Sequence, residues 1–140
     1  MRNIIFRGKR LDNGEWVEGD YFRKYIYDRY DNGSLHHLIG WQVTDNDGEK
    51  FNDYEDVDPD TVGQYTGMKD KNGKKIFEGD ILAFVGAENP KAFFVIVEWD
   101  ARLCCYYLRR VDVNICNRYG FFPSSYTLEG NIHDHKHLIK

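Results

Sequence analysis

The chain has 140 residues, 41% hydrophobic and 30% charged, with a formal net charge of −4 and a mean hydropathy of −0.66. That length suits one domain with a real core. No run reaches the ~18 apolar residues of a membrane helix and the N-terminus lacks a signal-peptide apolar region, so the expected location is cytoplasmic, without membrane contact. The three cysteines, Cys104, Cys105 and Cys116, are odd in number and lack CxxC spacing, which excludes a zinc site read from sequence. They are expected to be reduced, partly buried small hydrophobes.

Taken in order, Asn3–Phe6 reads as a first strand, Asp12-Asn13-Gly14 as a turn and Trp16–Phe22 as the returning strand. Asp31-Asn32-Gly33 and Asp45-Asn46-Asp47-Gly48 are further turn signals, with the strand Leu35–Thr44 between them. Residues Asp45–Asp60 carry eight acidic side chains against one Lys and read as an exposed loop. The loop ends in a helical turn that Asp58 caps and Pro59 opens.

The stretch Tyr65–Leu82 is the densest in signals: an Asn72-Gly73 turn, the apolar pair Ile76 and Phe77, and a Gly79-Asp80 corner. Asn-Gly suits a two-residue turn with positive φ at both positions. An apolar strand, Ile81–Val85, follows, and then Ala92–Trp99. The latter is almost wholly apolar, as expected of a central strand covered on both faces. Asp100–Arg102 closes a turn into Leu103–Val113. Residues Asn114–Ser125 are irregular, and Tyr126–Ile132 is the last strand before a polar tail.

Four Asn-Gly or Asp-Gly pairs in the first 73 residues point to a mainly β fold. The expected architecture is a single domain, 1–140, built as a hairpin-rich antiparallel sheet or a partly open small barrel of the Src-homology type. Little helix is expected. Two segments, 6–21 and 65–81, match as an internal pseudo-repeat. Phe6, Gly8, Asn13-Gly14, Trp16-Val17 and Glu18-Gly19-Asp20 correspond to Tyr65, Gly67, Asn72-Gly73, Ile76-Phe77 and Glu78-Gly79-Asp80.

The central segment carries a family resemblance. Asp58, Pro59, Thr61 to Gly67, Lys69, Asp70, Asn72-Gly73, Ile76 and Glu78 to Ile81 resemble the signature of the YopX family, small proteins of bacteriophages and prophages of Gram-positive bacteria. Val97-Glu98-Trp99, Leu128 to Ile132 and the opening from Phe6-Arg7-Gly8 to Trp16 are also similar. The resemblance implies a phage-borne cytoplasmic protein of undefined activity, and it supplies no catalytic residues.

Asp20 and Asp80 recur in the same Glu-Gly-Asp context, and one reading makes them an acid–base pair. Turn chemistry accounts for them better, because a backbone corner needs its Gly and Asp each time it is used. Asn13, Gly14, Gly19, Asp20, Asn72, Gly73, Gly79 and Asp80 are therefore read as structural turn residues. His133, His135 and His137 would share one face of an extended strand, yet a charged terminal tail reads as solvated, and His36-His37 face apart. No metal, cofactor or catalytic residue is expected, and no nucleophile arrangement emerges from Ser124-Ser125 or the cysteines.

Residues Ala101–Gly120 hold four Arg against one Asp. Tyr107, Arg109, Arg110, Arg118 and Tyr119 combine stacking faces with cations, the composition of a nucleic-acid surface. The competing account makes the aromatics core and the cations their solvated rim. The expected function is a non-enzymatic binding module contacting an unidentified protein or nucleic acid. The alternative is a structural, self-assembling homo-oligomer.

Overall fold

The computed structural model describes residues 1–27, 29–30, 32–84, 93–112, 118–119 and 125–139. They form eleven strands and only short 3₁₀ segments, so the protein is mainly β, in antiparallel sheets without a closed barrel. By contacts the chain divides into two compact units, Met1–Gln64 and Tyr65–Lys140.

In the first unit, β1 (Phe6–Lys9), β2 (Trp16–Ile26), β3 (Ser34–Thr44) and β4 (Lys50–Asp56) pair in the order β4-β3-β2-β1. The other side of β1 takes Gly63 and Gln64, the first residues of β5 (Gly63–Lys69). A bridge between Arg10 and Val57 joins the ends of β1 and β4, helped by a Leu11 N–H to Asp56 C=O bond of 3.0 Å. Leu38, Ile39 and Val57 are the buried apolar side chains.

Gly8 belongs to this core through its lack of a side chain. A Cβ there would stand 3.1 Å from both Ile39 and Val57. Beneath it lies the 3₁₀ turn Pro59–Thr61, capped by the Asp58 carboxylate, which accepts the Asp60 N–H at 3.0 Å. The Thr61 hydroxyl accepts the Lys9 N–H at 2.8 Å and donates to the Asp58 carbonyl at 2.7 Å.

Three expectations for this unit are corrected. The first strand begins at Phe6 rather than Asn3. The acidic stretch Asp45–Asp60 is not a loop, because Lys50–Asp56 pairs along β3 from Leu38↔Asp56 to Thr44↔Lys50. Strand pairing places the acidic side chains at the surface, where their charge costs little, so an acidic composition does not oppose a strand. The Gly19-Asp20 pair is no corner either: both residues lie within β2, Gly19 opposite Phe6 and Asp20 opposite Gly40. Gly19 is needed for close approach, since a Cβ there would stand 2.1 Å from the Gly40 carbonyl oxygen.

In the second unit, the rest of β5 pairs with β6 (Lys75–Phe77). A five-stranded sheet follows in the order β10-β9-β8-β7-β11, from β7 (Asp80–Phe84), β8 (Phe93–Asp100), β9 (Cys105–Arg110), β10 (Arg118–Tyr119) and β11 (Tyr126–Asn131). The meander β7-β8-β9 puts β8 at the centre. Val95 and Val97 are fully buried there, and they pack with Ile76, Leu82, Leu108 and Tyr126. Ile96, on the opposite face of β8, is buried as well. Val85, Ala92, Val113 and residues 114–117, including Cys116, lie outside the described residues.

The turns are longer than the two-residue form expected of Asn-Gly. At Asn13-Gly14 the loop is Leu11–Gly14, closed by Arg10 N–H to Glu15 C=O at 2.9 Å, and Gly14 has φ 70°. At Asn72-Gly73 the loop is Lys71–Gly73, closed by Asp70 N–H to Lys74 C=O at 2.8 Å, with Gly73 at φ 83°. In each case only the glycine takes a positive φ. The asparagine keeps a negative φ, as in a type I turn that ends in a left-handed residue.

Candidate functional site

The Glu-Gly-Asp copies diverge in conformation. Gly79 has φ 85° between β6 and β7, and its N–H donates to the Val97 carbonyl at 2.9 Å. Asp80 is 1% exposed and accepts the Phe77 N–H at 2.8 Å. Asp20 is exposed in mid-strand. One carboxylate is thus built into backbone and the other open to water.

Asp70, which sequence reasoning passed over, is the more heavily used carboxylate. One oxygen accepts the N–H groups of Asn72 and Lys74, both at 2.8 Å, and the other accepts the Leu128 N–H at 3.0 Å. Burial alone pushes its carboxyl up, but the three amide bonds, with the Lys74 charge, outweigh this and hold it below the ordinary range. The available signal was Asp three residues before a turn glycine, which occurs at Asp45 too.

Within the basic-aromatic segment, Tyr107, Arg109 and Arg110 meet partners inside the unit. Arg109 Nε lies 2.7 Å from Glu98 Oε1, and the Tyr107 hydroxyl donates to the same carboxylate. Arg110 pairs with Asp112, holding that carboxyl below its usual range, and its guanidinium lies 4.2 Å from the Phe93 ring centroid. Arg118 and Tyr119 form β10 against Arg109 and Leu108.

Cys104 and Cys105 are free and exposed, not partly buried. Cys104 occupies the left-handed last position of the loop between β8 and β9, at φ 51°, which turns it out to solvent. The His133–His137 tail is no extended strand. Asn131 Oδ1 accepts the N–H groups of His133 and Asp134 at 2.9 and 3.0 Å, and Lys136–Ile139 form a 3₁₀ turn. Among the described residues no cluster of His, Cys, Asp and Glu is placed to hold a metal ion, and no helix is long and apolar enough to cross a membrane.

What the structure brings together in the first unit is an exposed aromatic strip on β2 to β4. Cross-strand partners share a face of a sheet. Asp20, Gly40 and Tyr54 therefore form one row, Phe22, Leu38 and Asp56 the next, and Gln42 and Asn52 a third. Phe22 and Tyr54 meet edge to face at 6.2 Å, and they border a depression of about 430 Å³ over Gly40. Tyr25, Leu35 and Phe51 are exposed on the other face.

At the end of the same strands lies an open groove of about 700 Å³. Asp12, Glu55 and Asp56 line it together with Leu11, Leu35 and His36. His36 Nδ1 lies 2.6 Å from Asp56 Oδ1, and its Nε2 lies 2.9 Å from the Ser34 hydroxyl. This is the order of groups used for acyl transfer, but the His36 and Asp56 side chains are 29% and 42% exposed. The His36–Asp56 contact also fastens β3 to the end of β4.

These features define a class: a small, open-sheet antiparallel β protein with a solvent-facing aromatic and acidic surface. The chain belongs to the YopX family, whose family model, described as YopX protein, matches residues 5–140. Among solved structures, the crystal structure of protein EF1440 from Enterococcus faecalis is similar over 100% of both chains. It has a TM-score of 0.54 and 22% identity, a likeness of fold. Comparison with curated proteins finds no match.

Proposed function

We propose that this chain is a non-enzymatic binding module of phage or prophage biology, working in the bacterial cytoplasm, whose partner is a protein. The observation that carries this is the aromatic strip on β2 to β4. Phe22 and Tyr54 are 39% and 49% exposed side by side on one face, and Tyr25 and Phe51 are exposed on the other. Aromatics left in water at this density have a use in recognition, where they bury large areas at small entropic cost. A protein is favoured over nucleic acid because Arg109 and Arg110, the cations of the basic strand β9, are already engaged with Glu98 and Asp112, which leaves that strand little charge for counterion release.

The test is capture from prophage-bearing cells with tagged protein, with and without nuclease, beside a Phe22→Ser, Tyr54→Ser double variant. A nuclease-resistant protein held by the wild type and lost from the double variant is the expected result. Capture that nuclease abolishes, or that the double variant retains, overturns the reading. The same exposed aromatics favour one second reading, burial against another copy of the chain. A mass in solution that doubles on concentration and stays monomeric in the double variant would decide for it.

A further inference from the structure

We infer that the groove between Leu11, Leu35 and Asp56 receives a single arginine or lysine side chain from the protein partner, a proposal that rests on the binding-module reading. Leu11 and Leu35 are 65% and 41% exposed, and nothing in the turn or ladder chemistry of their segments asks for leucine there. They flank a groove whose lining holds three carboxylates and neither Lys nor Arg.

The nearest cation, Arg10, is committed to two of those carboxylates. Its guanidinium lies 2.6 Å from Asp12 and 3.0 Å from Glu55. Asp56 is different. One oxygen meets His36 at 2.6 Å, and the other has no partner among the described residues. The groove thus keeps a net negative charge, with an acceptor at its wall and aliphatic surface beside it.

An aliphatic stem ending in a cation complements both features. The stem covers the leucines, and the head reaches the Asp56 carboxylate. Neutral or acidic side chains match only half of the groove. An isolated metal ion would leave the leucines in water.

The test uses the full chain and two acetylated, amidated pentapeptides, Ala-Leu-Arg-Leu-Ala and the same sequence with citrulline in place of arginine, titrated by heteronuclear NMR. The arginine peptide is expected to shift the amides of Leu11, Leu35 and Asp56, with the citrulline peptide about tenfold weaker, the order of one partly screened ion pair. Asp56→Asn should lose the same factor while keeping a dispersed spectrum, and Asp47→Asn at the hairpin tip should lose nothing. Equal affinity for both peptides, shifts elsewhere, or no shift at millimolar peptide would overturn the proposal. The capture experiment separates this failure from that of the broader reading. A partner held through Phe22 and Tyr54 but indifferent to Asp56→Asn removes the groove and leaves the module.

Discussion

Two hairpins are written in the same grammar and live in different surroundings. At the β3–β4 tip, Asp45 precedes Asn46-Asp47-Gly48, and its Oδ1 accepts the N–H groups of Asp47 and Glu49 at 3.0 and 2.9 Å. At the β5–β6 tip, Asp70 precedes Lys71-Asn72-Gly73 and accepts the equivalent amides of Asn72 and Lys74, both at 2.8 Å. Gly48 and Gly73 share the positive φ, 82° and 83°. The difference is the second carboxylate oxygen. That of Asp70 takes the Leu128 N–H, and the Lys71 N–H beside it donates to the Tyr126 carbonyl at 3.1 Å, tying the tip to β11. Asp45 is exposed and serves only its own turn. A turn motif therefore specifies a loop. Whether that loop is an ornament or a joint depends on what its spare acceptor meets.

The harshest way to break the contrast is to remove the core that β11 and β8 share with this tip. Val95→Asp buries a carboxylate without a partner at a fully enclosed position, at a cost of several kcal/mol against a total of about 5–15. We expect loss of cooperative melting and of methyl dispersion. A soluble variant melting like the wild type would show that β8 is peripheral.

Next comes the pair of aspartates. Asp70→Ala strands three backbone donors, two of them at the tip and one on β11, and should cost about 2 kcal/mol in urea unfolding. Asp45→Ala should cost less than half of that, since water replaces its bonds. Equal losses would remove the distinction. The sign of the pH effect follows from the lowered Asp70 carboxyl. Its contribution is complete above the unfolded-state value and fades as pH falls through the folded one. Stability measured between about pH 5 and pH 2 should fall less steeply in Asp70→Asn than in the wild type.

The two Glu-Gly-Asp copies sharpen the same lesson. Gly19→Ala drives a Cβ into the Gly40 carbonyl, so backbone must move, whereas at Gly79 the nearest atoms to a Cβ stand 3.5 Å away and only the φ of 85° resists. We expect about 1 kcal/mol for Gly79→Ala and clearly more for Gly19→Ala. The reverse order would mean that strand contact is the softer constraint. The smallest effect belongs to the loop between β8 and β9. Cys104 holds a left-handed conformation there, and Cys104→Gly should raise the unfolding midpoint by the equivalent of about 0.5–1 kcal/mol. No change or a loss would place the cost elsewhere.

Much of this fold was legible because it is written in local chemistry. Turn glycines, the Asp58-Pro59 cap and the apolar run through Val95 each declare themselves within a few residues. The β4 strand was hidden because its acidic side chains look like loop composition, and with Lys50–Tyr54 exposed throughout only its pairing with β3 marks it as a strand. Asp20 and Asp80 are alike in sequence, and nothing nearby foretells that Gly40 will approach one copy. The groove was out of reach for the same reason. Asp12, Leu35 and Asp56 come from three separate segments, and the Arg10–Val57 bridge that draws their ends together has no sequence mark.

The β4 strand, finally, bears on how the molecule behaves at high concentration. Asp45 N–H to Glu49 C=O and Val57 N–H to His37 C=O set odd-numbered β4 residues inside the ladder, so even-numbered amides face outward. The Asp56 carbonyl already holds Leu11, and the Tyr54 N–H donates to its neighbour Asp53 at 2.9 Å. A strand arriving from another molecule would find only Lys50 and Asn52 open before meeting a carboxylate in its path. The Asp53 carboxylate thereby occupies a place where a further strand would have to pair, the kind of obstacle that blunts a sheet edge.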